Sequence, residues 1–194
     1  MKQLTSFAIG AALLAITSPA RAASSEEAVA LEVAAATLAP NKFVWSDTAT
    51  AEPVTVVVSI PLQRAYVYRG RTLVAATAVS TGTDDKPTPT GIYPILQKAE
   101  KHTSNLYGAS MPYMQRLTWD GIALHAGRNP GFPASHGCIR LPTVFAKKLF
   151  EVTDVGTTVV VTDGIPIGAE LDPELTRTDA ARANEAQLAA LAGN

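Results

Sequence analysis

From Pro53 onward the chain is dominated by short β-branched runs, at residues 54–60, 64–68, 73–79, 92–96 and 159–162, and runs of that length bury their apolar atoms only by pairing with one another. Pro61-Leu62-Gln63 and Arg69-Gly70-Arg71 interrupt the first three runs at hairpin spacing, so a meander of antiparallel strands is the simplest arrangement. Residues 119–125 read as a further strand, arriving at a glycine- and proline-rich loop at 126–134. Residues 81–91 have no apolar periodicity and contain two prolines and two glycines, which predicts a surface loop. Two helices are expected. Residues 25–38 are alanine-rich, start with a serine and two glutamates and stop before Pro40. Residues 143–152 place apolar side chains at 144, 145, 149 and 152 with lysines opposite. The resulting order is strand, loop, cysteine turn, helix, strand, within a mostly β fold.

A length of 194 residues with 47% apolar and 17% charged content suits one globular domain with appended segments. Sixteen basic against seventeen acidic side chains give a net charge of −1, so no bulk attraction to nucleic acid is expected. No internal repeat, dinucleotide-binding or Walker-type glycine motif is present. Lys2, the apolar run at 7–16 and Ala20-Arg21-Ala22 form a secretory signal pattern, with cleavage expected after Ala22. The uncharged stretch at 4–20 is short and weakly apolar for a span of about 20 residues, so no stable transmembrane anchor is expected. These features divide the chain into a signal peptide at 1–22, a helical or linker segment at 23–52, a β-rich domain at 53–163 and an alanine-rich tail at 164–194.

Cys138 is the only cysteine, which excludes an intramolecular disulfide and a structural zinc finger. An exported chain exposes idle thiols to oxidation, so a retained one points to a use, with inert core filler as the alternative. Among the three histidines, His102 lies in a polar stretch and reads as a solvated loop residue. His125 closes an apolar strand, and His136 stands two residues before the cysteine. An imidazole that accepts the thiol proton converts a cysteine into a nucleophile. The Ser135-His136-Gly137-Cys138 turn offers consecutive backbone N–H groups to an oxyanion. A catalytic zinc on His125, His136 and Cys138 is disfavoured, because no metal-ligand spacing occurs and no acidic residue lies between Asp120 and Glu151. Arg140 has three readings: surface cation, clamp on the cysteine turn, or docking group for a carboxylate.

His125 followed by Ser135-His136-Gly137-Cys138-Ile139-Arg140 resembles the L,D-transpeptidase (YkuD-like) family of bacterial cell-wall enzymes. Residues 79–82, 87–91, 111–113 and 156–161 are also similar to family segments, so the resemblance covers about residues 53 to 163. It implies a mostly β, sandwich-like or mixed β fold, with a short helix after the cysteine and helical appendages at both ends. Cys138 would be the nucleophile and His125 the base, oriented by the Ala126 carbonyl. His136, Gly137, Ser135 and Arg140 would support the turn and the oxyanion hole, with the Gly137 and Cys138 N–H groups as donors. Met111 and Tyr113 would meet substrate, Tyr113 through its hydroxyl. The resemblance also implies peptidoglycan stem peptides as partners; no cofactor or metal is expected, and the signal pattern at 1–22 leads to a periplasmic or cell-envelope location. The expected reaction replaces the meso-diaminopimelate to D-alanine bond with a 3→3 cross-link or a protein attachment, an outer-membrane protein being one such acceptor. An L,D-carboxypeptidase, an amidase, a sortase-like peptidase and a non-catalytic wall-binding module are the alternatives.

Overall fold

The computed structural model describes residues 25–46, 50–166 and 168–178; the expected signal peptide and residues 179–194 of the tail lie outside them. Strands β2 (Val54–Ser59), β3 (Arg64–Arg69) and β4 (Thr72–Ala78) form the expected antiparallel meander, with Val56 opposite Val67 and Tyr66 opposite Ala76. Three strands complete this large sheet. β1 (Phe43–Trp45) pairs with β4, β10 (Thr158–Thr162) lies parallel to β2, and β5 (Gly91–Pro94) closes the far edge. A small sheet runs in the order β6 (Gln97–Ala99), β7 (Met114–Arg116), β8 (Ala123–Ala126) and β9 (Ile139–Leu141).

Period-two alternation accounts for the continuous valine run in β2. Val56 and Val58 face the core shared with the small sheet, where Leu124, Ile139 and Leu141 meet them. Val57 faces the other way, into a second cluster with Tyr66, Tyr68, Leu73 and Val160. Both faces of the large sheet are therefore covered, and its strands read as unbroken apolar runs rather than as alternating ones. Helix α2 (Thr143–Val152) carries the chain from the small sheet toward the large one and buries Phe145, Ala146 and Leu149. Val144 points outward, unlike the other apolar positions expected on that face.

Helix α1 (Ser25–Ala36) and the C-terminal segment cover the outer face of the large sheet. Ala28 and Ala35 of α1 are buried there together with Leu171. The Arg64 guanidinium donates to the carbonyls of Ala35 at 3.1 Å and Leu38 at 2.5 Å, tying the end of α1 to β3. Glu170 bridges to Thr72, and a 3-10 helix, Pro173–Thr176, follows with its first turn capped by Asp172. Within the described residues, the segment expected as a separate tail thus seals the second apolar cluster.

Two expectations need correction. Residues 92–96 do not form one strand, because the chain leaves the large sheet after Pro94 and enters the small one at Gln97. Only the end of the 119–125 run is extended; Gly121, at φ 108°, turns the chain ahead of β8. The pairings β2–β10 and β8–β9 are parallel, so the meander comprises β2 to β4, the three runs for which it was expected.

Candidate active site

The parallel register of β8 and β9 builds the site. Leu124 pairs with Ile139 and His125 with Arg140. Alternation sends Leu124, Ala126, Ile139 and Leu141 into the core and turns His125, Cys138 and Arg140 to the opposite face. There they line one cavity of about 680 Å³. Cys138 stands one pleat repeat from the position opposite His125, a diagonal neighbour across adjacent strands. Ser135, His136 and Met111 line the same cavity. Gly137 is buried behind it.

The cysteine turn is held from behind by residues 80–88. Ser80 and Arg140 exchange both backbone hydrogen bonds, at 3.1 and 2.9 Å, and the Thr81 carbonyl accepts from the N–H groups of Ala134 and Ser135. Thr88 Oγ1 donates to the Gly137 carbonyl and accepts from the Gly82 N–H, both at 2.8 Å. The loop expected at the surface therefore has its Thr81, Gly82 and Thr88 buried. Gly137 adopts φ 107°, and a Cβ there would meet Ile122 Cδ1 at 2.7 Å, so only glycine fits. Ser135 Oγ donates to the Cys138 carbonyl at 2.5 Å and accepts from the Gly137 N–H at 3.1 Å. That N–H is consequently engaged by Ser135 in this structure, whereas the resemblance expects it to face an oxyanion.

His125 is only 7% exposed, and its Nδ1–H donates to the Ala126 carbonyl at 2.8 Å. A carbonyl can only accept, so the tautomer is fixed and Nε2 is the basic nitrogen. Burial pushes the His125 pKa below its ordinary value, aided by the charges of Arg140 and His102 and opposed by the Ala126 hydrogen bond. Burial pushes the half-buried Cys138 thiol up, opposed by a backbone hydrogen bond from Ala123 and by Arg140 and Arg116. Both shifts favour a neutral thiol beside a neutral imidazole at rest, not an ion pair. The Sγ–H donates to the Gly121 carbonyl at 3.3 Å, while Met111, Met114 and Ala123 pack around it.

Two histidines frame the opening. His136 is exposed, with its ring 4.5 Å from that of Tyr107. His102 is a half-exposed loop residue, as expected, and it also lines the cavity: Ser110 bridges back to Thr103, and the His102 carbonyl accepts the Met111 N–H. Tyr113 does not reach the cavity lining; its ring packs edge-on against Phe150 at 5.9 Å. Its backbone, at φ 55°, turns it there. Arg116, Arg128 and Trp119 line the cavity without having been singled out in the sequence. Arg128 had a usable signal, as a cation in the loop that follows His125. Among the described residues no cluster of three or more histidine, cysteine, aspartate or glutamate side chains is arranged to hold a metal ion. Among them, too, no helix is long and apolar enough to cross a membrane.

The family model for the L,D-transpeptidase catalytic domain, YkuD, matches residues 53–161. An L,D-transpeptidase structure from Stackebrandtia nassauensis shares 28% identity at a TM-score of 0.55, covering 76% of this chain and 70% of that one. An L,D-transpeptidase from Mycobacterium tuberculosis H37Rv shares 26% identity at a TM-score of 0.52, covering 56% and 57%. An L,D-transpeptidase from Mycobacterium smegmatis, at 23% identity and a TM-score of 0.53, covers 56% and 58% and shares the fold. The matched region spans less than two thirds of either mycobacterial chain. No curated protein matches the chain. With a family match over more than half its length and the same two-sheet fold, the chain belongs to the L,D-transpeptidase (YkuD) family.

Proposed function

We propose that this protein is an exported peptidoglycan L,D-transpeptidase working through a thioester on Cys138. The observation that carries the reading is the shared face of β8 and β9, where Cys138 and a tautomer-fixed His125 open onto one cavity. The thiol leaves the Gly121 carbonyl and passes its proton to His125 Nε2 as sulfur attacks. The carbonyl attacked joins the L-centre of a meso-diaminopimelate residue to the terminal D-alanine. Transferring the proton during attack avoids forming a buried thiolate beforehand, at a site where burial disfavours it. The Cys138 N–H and the Arg140 guanidinium serve the oxyanion, since the Gly137 N–H is engaged by Ser135. D-Alanine departs with the proton from His125, leaving the thioester; an amine from a second stem then resolves it into a 3→3 link. The signal pattern at 1–22 supports action in the periplasm or cell envelope.

The test is product analysis by mass spectrometry after incubating the purified protein with disaccharide-tetrapeptides. Released D-alanine and 3→3 dimers are expected from the wild type and not from Cys138→Ala. The same products from the variant would remove Cys138 from the chemistry and leave a wall-binding role for its groove.

A further inference from the structure

The active cavity is lined by three arginines, Arg116, Arg128 and Arg140, against one carboxylate, Asp120. Two of the three have defined surroundings. Arg116 Nε donates to Gln97 Oε1 at 2.9 Å, and its guanidinium lies over the Trp119 ring at 5.7 Å. The Arg140 stem packs so closely on Gly127 that a Cβ there would sit 3.2 Å from Arg140 Cγ. Arg128 is exposed and forms no hydrogen bond or ion pair with the described residues. It also lines a second depression of about 600 Å³, bounded by Asn41, Phe43, Pro112, Pro142 and Val144. The two cavities share Ser110, Gly127 and Arg128, and the second has no acidic residue in its wall.

We infer that the second depression admits the acyl acceptor, and that Arg128 at the junction selects amines bearing a carboxylate on the same carbon. This rests on the transpeptidase reading, in which the donor peptide occupies the first cavity and the amine must arrive by another opening. A guanidinium fork matches a carboxylate in two-point geometry, and among the described residues nothing else competes for it. The D-centre of meso-diaminopimelate carries an amine and a carboxylate on one carbon. Holding the carboxylate on Arg128 directs the neighbouring amine toward the thioester. The amine nitrogen bonds to the thioester carbon, the C–S bond breaks, and one amine proton returns through His125 to the Cys138 sulfur. Simple amines lack that handle.

The experiment measures kcat/KM for glycine and glycinamide as acceptors, with a tetrapeptide donor and intact-mass detection of the thioester. Comparing the glycine-to-glycinamide ratio between enzymes removes the difference in amine basicity. Arg128→Ala is expected to lower that ratio about tenfold, Arg128→Lys to give an intermediate value, and added salt to lower the wild-type ratio. A thioester on Cys138 with a ratio unchanged in Arg128→Ala overturns the acceptor assignment alone. Absence of any thioester in the wild type overturns the transpeptidase reading and the acceptor assignment together.

Discussion

The six-stranded and four-stranded sheets share one core but use their second faces differently. Strands of the large sheet such as β2 to β4 are six or seven residues long, and the outer face is sealed by α1 and Leu171. Those of the small sheet are three or four residues long, and the face away from the core presents His125, Cys138 and Arg140 to a cavity. A half-open sheet of short strands is weakly held on its own. It is kept in place by Leu124, Ile139 and Leu141 in the shared core and by the hydrogen bonds of residues 80–88 to the cysteine turn. The large sheet is thus buried on both faces and the small one on a single face, with the 80–88 loop joining them.

Substitutions can break that division, and the largest effect belongs to the reactive face. His125→Ala should reduce transpeptidation by about 10²- to 10⁴-fold, the usual contribution of a general base. Its thermal unfolding midpoint should stay close to the wild type, and steady-state kinetics with calorimetry check both halves. Phe145→Ala is the converse. Phe145 is fully buried, with the Phe43 and Trp45 rings 5.7 and 5.3 Å away. Its removal should cost about 3–5 kcal/mol in denaturant unfolding, with activity per folded molecule largely retained.

Thr88→Val sharpens the comparison because Thr88 lies outside both sheets. It strands the Gly137 carbonyl and the Gly82 N–H, costing about 1–3 kcal/mol. It should also lower kcat about tenfold, a shift in the barrier of about 1.4 kcal/mol, by loosening the turn under Cys138. Arg64→Ala should cost about 1–2 kcal/mol by freeing the end of α1 and leave kcat unaltered. The pH profile follows from the two shifts. His125 must be neutral to act, and its pKa is lowered, so the acidic limb should fall below the ordinary histidine value of about 6.5. The Cys138 pKa is raised, so its alkylation rate should climb only above about pH 8.5. Rapid labelling with a plateau at neutral pH would indicate an ion pair instead.

What the sequence disclosed depended on how local each feature is. The three-strand meander was legible because alternation and turn residues are properties of adjacent positions. The Ser135 to Arg140 turn was legible because its residues are contiguous, and the expected contact of the Ala126 carbonyl with His125 is present at 2.8 Å. β1, β6, β7 and β9 are each three residues long and become strands only by pairing with distant neighbours. Tyr113 sits beside Met111 in sequence but turns to Phe150, a partner that no local pattern signals. His102 reads as a solvated loop residue because its sequence neighbours are polar, and the bridge from Thr103 to Ser110 is what also brings it to the cavity. Thr88 was placed in a surface loop because prolines surround it; its burial against Gly137 depends on a contact from another part of the chain.

Peptide mapping of the protein quenched during turnover of a tetrapeptide donor tests the central claim most directly. The account predicts an acyl group equal to the donor minus D-alanine, attached to Cys138 and accumulating more slowly in His125→Ala. Turnover with Cys138 unmodified throughout, or an acyl group carried on another residue, would contradict it.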